Sequence, residues 1–397
     1  MTIFQYNFPT RIQFGPGAVR GLAPALAELG KQRPLIVTDR GLAPLAPVTR
    51  TRDALAQAGL DVAVFSGVWG NPVKSQVTAG VAAFKAQGAD SIVGLGGGAA
   101  IDVAKAILLM VNHPGDLFDY EDEKPGARPI DREIPYWVSV PTTAGTGSEV
   151  GRSTVISDDE THVKKIIFSP KLLAARVFLD PELTLELPAA VTAATGMDAL
   201  THLVEAYLAK GFQPLCDRIA LAGAKLVAQG LPRAVEFARR IEHGEKGLVH
   251  APEHVEARGQ MLNAATMGGV AFQKGLGVTH SLAHALSTVC DLHHGLANGI
   301  AIPYAMSFNA SVAAERLTDL AHMVGAKEQS ARGFVVWLEQ LREHIGIPHD
   351  LRAAGVRDEH LDRLVQIAVA DACHPNNPRP VSEPDFRALF RQALGPI

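Results

Sequence analysis

The sequence predicts two domains, an N-terminal α/β domain with a parallel sheet and an all-helical C-terminal domain. Short apolar runs typical of buried strands alternate with helical segments as far as about Asp180. From Ala189 onward such runs are absent, and apolar residues recur with the 3.6-residue period of helices. The 397 residues suffice for two hydrophobic cores. We place the boundary near Leu185, which gives domains of residues 1–185 and 186–397.

The elements of both domains can be placed in chain order. Residues 1–20 look like strands closed by a turn, and the further strands and helices of the first domain are expected at 22–29 (helix), 34–39, 62–65, 77–87 (helix), 90–95 and 135–140. A hairpin is expected to turn at residues 158–159. The helices of the second domain are expected at 215–240, 252–272, 313–324, 332–345 and 358–370.

Two features of the first domain are typical of a nucleotide site. Asp39 ends a buried strand, where its carboxylate can bind a ribose diol and repel a 2′-phosphate; the alternative is a cap for the next helix. Residues 94–105 (GLGGGAAIDVAK) form a glycine-rich turn that opens a helix, where backbone N–H groups favour a pyrophosphate. The pattern fits the dinucleotide fingerprint only loosely, because tight strand-to-helix turns also need glycine.

The second domain carries four potential metal ligands on otherwise apolar helices. Asp198 and His202 are one helical turn apart on one face, and His280 and His294 follow in a segment that holds four of the 15 histidines. One carboxylate and three imidazoles suit a borderline divalent ion such as Fe(II) or Zn(II). The alternative is a structural, hydrogen-bonded Asp–His pair, since buried polar groups need partners.

Three motifs closely resemble the metal motifs of the iron-containing (group III) alcohol dehydrogenase family: TGMDALTH at 195–202, GLGVTHSLAH at 275–284 and HGLAN at 294–298. The resemblance implies a Rossmann-like domain followed by a helical domain, the fold shared with dehydroquinate synthase. It implies one divalent metal, with Fe(II) favoured and Zn(II) as the alternative. The implied ligands are Asp198, His202, His280 and His294, and His284 matches a family histidine that lines the site.

The resemblance also implies a nicotinamide cofactor, and Asp39 in its place implies NAD rather than NADP. The positions that match cofactor contacts of the family are Asp39, Asn71, Gly97, Gly98, Thr142, Thr143 and Lys164, with Ser148 as a further candidate in the same loop. Two departures from the family pattern are Ala99, where serine is usual, and Val73, where threonine is usual. Both affect cofactor binding and neither touches the metal.

The implied activity is NAD(H)-linked interconversion of a small primary alcohol, or a short ω-hydroxy acid such as 4-hydroxybutyrate, and its aldehyde. Residues 271–277 and 292–295 look similar to the 4-hydroxybutyrate dehydrogenases of the family, where Lys274 would meet a carboxylate; the alternative is an exposed lysine. His284 is expected either to relay the hydroxyl proton or to orient a ligand. The other functions to test are a dehydroquinate synthase-like lyase with NAD and metal, and an NAD-binding regulatory protein.

Charge and composition limit the partners. A net charge of −4 gives no reason to expect nucleic acid or an anionic membrane, and no apolar run approaches the length of a membrane span. The three cysteines share no metal-like spacing, which favours free or buried thiols in a reducing compartment. The N-terminus lacks the features of a signal peptide, so we expect a cytoplasmic protein. The family resemblance implies a homodimer or larger homo-oligomer.

Overall fold

A computed structural model describes residues 10–122 and 124–395. The described residues form two compact units. An α/β unit comprises 10–143 and 147–184, and a helical unit comprises 144–146 and 185–395. The predicted pairing of a parallel-sheet domain with an all-helical domain is confirmed.

The α/β unit is built on a six-stranded sheet in which every neighbouring pair is parallel. Its elements are β1 (Arg11–Phe14), α1 (Leu22–Ala27), β2 (Pro34–Asp39), α2 (Ala46–Gln57), β3 (Ala63–Val68), α3 (Lys74–Gln87), β4 (Ser91–Gly96), α4 (Gly98–Asn112), β5 (Tyr136–Pro141), β6 (Ser153–Ser157), β7 (Lys164–Phe168) and β8 (Arg176–Leu179). Strands β6 and β7 form the predicted antiparallel hairpin. The part of the expected strand region that precedes residue 10 lies outside the described residues.

The strand order β1-β8-β5-β4-β2-β3 explains where the glycine-rich turn lies. The chain runs outward from β2 to β3 and then crosses to β4 on the other side of β2. The carboxyl ends of β2 and β4 therefore meet at a topological switch point, where open parallel sheets bind ligands. Asp39 and Gly96 are the last residues of these two strands. Both strands are almost wholly buried, as their uninterrupted apolar sequences predicted.

The helical unit contains only helices and turns between residues 185 and 395. These are α5 (Ala189–Leu208), α6 (Pro214–Glu242), α7 (Pro252–Ala271), α8 (Val278–Cys290), α9 (His294–Val324), α10 (Ala331–Ile345), α11 (Leu361–Ala370) and α12 (Glu383–Leu394). Helix α9 is interrupted by non-helical backbone at Ala313, the residue where periodicity predicted a separate helix to begin. Among the described helices, none combines the length and the apolar character needed to cross a bilayer.

A close approach of two backbones fixes the start of α9 against α5. A Cβ atom on Gly295 would lie 2.2 Å from the carbonyl oxygen of Ala194, so no larger residue fits without a shift of one helix. Helix α5 is buried along nearly its whole length, in the core of the unit. Gly295 thereby brings the first residue of α9, His294, beside the polar face of α5.

Candidate metal centre and cofactor site

Asp198 and His202 lie on one face of α5, one turn apart, and both side chains are buried. The Nδ1 atom of His202 is 3.9 Å from Oδ2 of Asp198. Burial lowers the pKa of His202 to about 4, although the Asp198 charge opposes this shift. The ring is therefore neutral at neutral pH and keeps a lone pair on one nitrogen. The backbone of Gly145 also hydrogen-bonds with this ring.

Helices α8 and α9 bring two further imidazoles to the same carboxylate. The Nε2 atoms of His294 and His280 lie 3.4 Å and 4.0 Å from Oδ1 of Asp198. Ligand atoms of these three residues all lie within 4.8 Å of one another. His202 is outside that trio, but its ring centroid is 4.6 Å from that of His280. The structure thus gathers the other three predicted ligands around Asp198.

The hydrogen bonding of two buried nitrogen atoms in this cluster bears on whether a cation fits there. Nε2 of His280 and Nδ1 of His202 are buried without a hydrogen-bond partner, and both are close to the Asp198 carboxylate. Buried polar atoms are nearly always satisfied, and two lone pairs facing a carboxylate cannot satisfy one another. A divalent cation would be a partner for both at once, and nitrogen and oxygen donors of this kind suit Fe(II) and Zn(II). The residues therefore fit a divalent metal.

Glu205 is a site residue that our sequence reasoning missed. It lies on α5 and is buried, and its Oε2 atom accepts a hydrogen bond of 2.7 Å from Nδ1 of His280. Burial raises the pKa of Glu205, but hydrogen bonds from His280 and Thr279 outweigh this effect and hold the net pKa below its usual value. Its position, seven residues after Asp198 and three after His202, repeats the same helical face and was a usable signal.

His284 is oriented by a second carboxylate that the sequence did not indicate. Its Nδ1 atom is 2.7 Å from Oδ2 of Asp371, and the other oxygen of that carboxylate, Oδ1, accepts from the Ser281 hydroxyl (2.7 Å) and the Cys373 backbone N–H (2.9 Å). Burial raises the pKa of Asp371, but the charge and hydrogen bond of His284 lower it more, so the net pKa is low. The His284 ring stacks on that of His294 at 5.3 Å. His284 is thus beside the cluster, with Nδ1 engaged by Asp371.

Asn298 is the last residue of the HGLAN motif, and the sequence indicated no role for it. Its Nδ2 atom donates to Oδ1 of Asp198 at 2.8 Å and lies 3.2 Å from Nε2 of His294. The amide is buried and sits one turn after His294 on α9. It therefore orients the Asp198 carboxylate toward the histidines.

The predicted cofactor loops adjoin one another in the α/β unit. The N–H of Thr142 donates to the carbonyl of Gly96 at 3.0 Å. A Cβ atom on Gly97 would lie 3.3 Å from Oγ1 of Thr143, so this glycine keeps the turn close to that loop. Gly97 precedes the first helical residue of α4, Gly98, and no side chain caps this helix. The arrangement leaves the start of α4 suited to an anionic group.

Asp39 caps the turn that follows β2 and lies beside the glycine-rich turn. Its Oδ1 atom accepts a hydrogen bond of 2.8 Å from the N–H of Leu42, so it caps the following turn. Its Oδ2 atom lies 3.7 Å from where a Cβ of Gly96 would be. The carboxylate therefore also reaches the glycine-rich turn at the switch point.

The other three cofactor candidates differ in their surroundings. Asn71 follows β3, and Lys164 begins β7. The Ser148 hydroxyl donates to Oδ1 of Asp102 at 2.5 Å and accepts from Nζ of Lys105 at 2.8 Å. Ser148 is thus part of a buried polar network, and its two partners on α4 are residues of the glycine motif that we had not singled out.

Lys274 is not exposed, so that one of its two sequence interpretations is wrong. Its ammonium group is buried, with Nζ 2.5 Å from Oδ1 of Asp217 and 3.1 Å from the carbonyl of Tyr207. The ends of α5 and α6 cover this lysine, which no local pattern indicated. Because the ammonium is already bonded to a carboxylate, the geometry does not favour a contact with a substrate carboxylate.

Fold and site together define a class of protein. A parallel α/β sheet with a glycine-rich switch point and a helical unit with a buried Asp–His cluster are typical of metal-dependent nicotinamide oxidoreductases. The family described as iron-containing alcohol dehydrogenase matches residues 9–181, and its C-terminal domain matches residues 192–394. The chain therefore belongs to the iron-containing alcohol dehydrogenase family. The predicted family and class of enzyme are confirmed.

Relatives and solved structures match the chain over nearly its whole length. The NAD-dependent methanol dehydrogenase of Bacillus methanolicus is 35% identical, over 98% of this chain and 99% of the relative. The 4-hydroxybutyrate dehydrogenase of Cupriavidus necator is 36% identical, over 97% of this chain and 98% of the relative. A crystal structure of 1,3-propanediol oxidoreductase is similar with a TM-score of 0.90 and 35% identity, over 99% of this chain and 100% of the other.

Proposed function

We propose that this protein is an NAD(H)-linked dehydrogenase that uses one divalent metal ion to interconvert a small primary alcohol and its aldehyde. The observation that carries the proposal is the convergence of three imidazole nitrogens, from His202, His280 and His294, within 3.4–4.0 Å of the Asp198 carboxylate. Fe(II) is the favoured metal, in keeping with the family, and Zn(II) is the alternative.

The site residues of the helical unit have separate roles in this proposal. When bound, the metal supplies Lewis-acid polarisation of the alcohol or carbonyl oxygen, and NAD supplies the hydride acceptor. Asp198 and the three imidazoles hold the metal, and Asn298 orients the carboxylate. His284 exchanges the hydroxyl proton through Nε2, because its Nδ1 atom is held by Asp371.

The cofactor is assigned to the switch point of the α/β unit. The N–H groups after Gly97 and Gly98 bind the pyrophosphate, and Asp39 binds the ribose diol, where its charge disfavours a 2′-phosphate. The position of the Asp39 carboxylate beside the glycine turn supports this assignment. The remaining proposed cofactor contacts are Asn71, Thr142, Thr143, Ser148 and Lys164. The hydroxyl of Ser148 is already bonded to Asp102 and Lys105, so its contribution is the weakest of the set.

A short primary alcohol is the preferred substrate, in line with the methanol and 1,3-propanediol named for two similar proteins. A short ω-hydroxy acid is the second candidate, supported by 36% identity to a 4-hydroxybutyrate dehydrogenase. The ion pair of Lys274 with Asp217 argues against this lysine as its carboxylate anchor. A cytoplasmic location fits the three free thiols, and a homodimer or larger homo-oligomer is our expectation for the assembly.

The test is to strip the metal, reload the protein anaerobically with Fe(II) or Zn(II), and follow NADH oxidation with short aldehydes. The panel contains butyraldehyde, lactaldehyde and succinic semialdehyde, and the best substrate distinguishes plain alcohol from hydroxy acid. We expect turnover only with metal. Full activity in Asp198→Ala or His280→Ala would refute the ligand assignment. Tight NAD binding without turnover under either metal would favour the lyase or the regulatory alternative.

A further inference from the structure

Glu205 contacts the beginning of α8 through both carboxylate oxygens. Oε2 accepts from the N–H of Gly277 at 2.8 Å and from the N–H of His280 at 3.3 Å, and Oε1 accepts from the N–H of Thr279 at 2.6 Å. Gly277 is the residue before α8 and offers no side-chain cap. The first N–H groups of a helix need acceptors, which a Ser, Thr, Asp or Asn normally supplies locally. Here a buried carboxylate from another helix replaces that cap.

The same carboxylate also fixes the state of one imidazole. Oε2 lies 2.7 Å from Nδ1 of His280, and an ionised carboxylate can only accept hydrogen bonds. Nδ1 of His280 therefore bears the proton, and Nε2 bears the lone pair. That Nε2 atom is buried without a hydrogen-bond partner, 4.0 Å from the Asp198 carboxylate. Glu205 thus turns the donor atom of His280 toward Asp198.

Glu205 also connects two of the three helices that carry proposed metal ligands. Asp198 and His202 precede it on α5, while His280 is on α8, whose first turn it caps. A change at this single carboxylate would alter both the position of α8 and the tautomer of His280. We propose that Glu205 is a positioning residue that forms the metal site before any metal binds. The inference rests on the proposed metal site and adds a residue that does not itself bind the ion.

The variant Glu205→Gln tests the proposal because it keeps the shape and removes one acceptor. The amide N–H₂ group must face either the Thr279 N–H or the donors of Gly277 and His280, so one side of the contact becomes donor against donor. We expect Zn(II) affinity to fall by about 10- to 100-fold, the usual effect of losing a hydrogen-bond partner behind a metal-ligating histidine. Zn(II) affinity is measured by competition with a chromophoric chelator, without substrate or NAD.

A second measurement gives its decisive result on the wild-type protein alone. In the metal-free wild-type protein labelled with ¹⁵N-histidine, His280 is expected as the single tautomer protonated at Nδ1. In Glu205→Gln, a mixture of tautomers is expected. A metal-free wild-type protein with His280 protonated at Nε2 would overturn the proposal, even if the variant fails to fold.

Glu242→Gln is the matched control. Oε1 of Glu242 accepts from the N–H of Ala189 at 2.8 Å, so it also caps a helix from a distance, yet it contacts none of the proposed ligands. Because glutamine keeps an oxygen that can accept from this N–H, the control should keep both near-wild-type stability and wild-type Zn(II) affinity. If Glu205→Gln keeps wild-type Zn(II) affinity, the positioning role is refuted while the proposed function stands. If wild-type protein binds neither Zn(II) nor Fe(II), the proposed function fails, and this inference with it.

Discussion

Replacing the buried Lys105 with methionine should lower the free energy of unfolding and weaken NAD binding. The ammonium group is fully buried, and its Nζ atom donates to the Ser148 carbonyl (2.7 Å), the Ser148 hydroxyl (2.8 Å) and the Ser153 carbonyl (2.8 Å). Burial lowers the pKa of Lys105, and the nearby Asp102 carboxylate opposes this. These bonds tie α4, which begins at the glycine turn, to the loop after β5 and to β6.

The expected loss of stability follows from the groups that lose a partner in Lys105→Met. Three acceptors lose a charged donor, and each hydrogen bond to a charged group is worth about 1.5–3 kcal/mol net. The partly buried Asp102 carboxylate, with Oδ1 3.9 Å from Nζ, also loses its counter-charge. Because the desolvation of the ammonium is relieved at the same time, we expect the free energy of unfolding to fall by about 3–5 kcal/mol. The Kd for NAD should rise about tenfold, equivalent to about 1.4 kcal/mol.

The assay is urea unfolding followed by tryptophan fluorescence and circular dichroism, together with NAD titration. Two of the three tryptophans, Trp69 and Trp137, lie in the α/β unit, so fluorescence weights the affected part. Lys85→Met, at an exposed position on α3, should change neither quantity. Adding Asp102→Asn to Lys105→Met should recover part of the lost stability, since the unpaired carboxylate is removed. A loss below about 1 kcal/mol, or strictly additive effects of the two substitutions, would refute the reasoning.

Three further outcomes are expected. Burial lowers the pKa of His254 to about 4, so between pH 6.5 and 4 the unfolded chain binds a proton at this residue and the folded chain does not. The free energy of unfolding should therefore fall by up to about 3 kcal/mol over this range. Urea titrations at each pH should show this slope in the wild type and not in His254→Gln. Gly295→Ala places a Cβ against the Ala194 carbonyl and should lower stability by about 1–3 kcal/mol and weaken Zn(II) binding, whereas Gly247→Ala, with open space around it, should do neither. Asp39→Asn keeps an acceptor for the cap but removes the charge, so kcat/KM with NADPH should rise roughly tenfold while the unfolding midpoint stays; an unchanged preference would contradict the ribose assignment.

Local sequence patterns predicted those strands and helix starts that are determined by adjacent residues. The strand 34–39 and the start of α4 were placed correctly because an apolar run and a glycine turn are properties of adjacent residues. Helix α2 was not predicted, because its buried face consists of Val48, Thr51 and Leu55 and offers only two apolar residues. Helix α12 was also not predicted.

The same distinction, between local patterns and contacts distant in sequence, applies to the residues of the site. The pairing of Asp198 with His202 follows from helical spacing, whereas Asp371 reaches His284 from 87 residues further along the chain. Nothing near Asp371 marks it as a partner, since the contact exists only once α8 is packed. The burial of Lys274 is likewise set by helices distant in sequence, which is why the sequence alone could not exclude an exposed lysine. Spacing thus predicts ligands on one helix, and only the packed structure supplies their long-range partners.

The short segment Ala144–Thr146 groups with the helical unit, although the residues on both sides of it belong to the α/β unit. A Cβ atom on Gly145 would lie 3.0 Å from the carbonyl of Thr195, and the backbone of Gly145 hydrogen-bonds with the His202 ring. The helical unit is therefore not a contiguous piece of chain. A fragment that begins at residue 185 would lack one neighbour of a proposed metal ligand, so dissecting this enzyme by truncation would alter the very site that the truncation was meant to isolate.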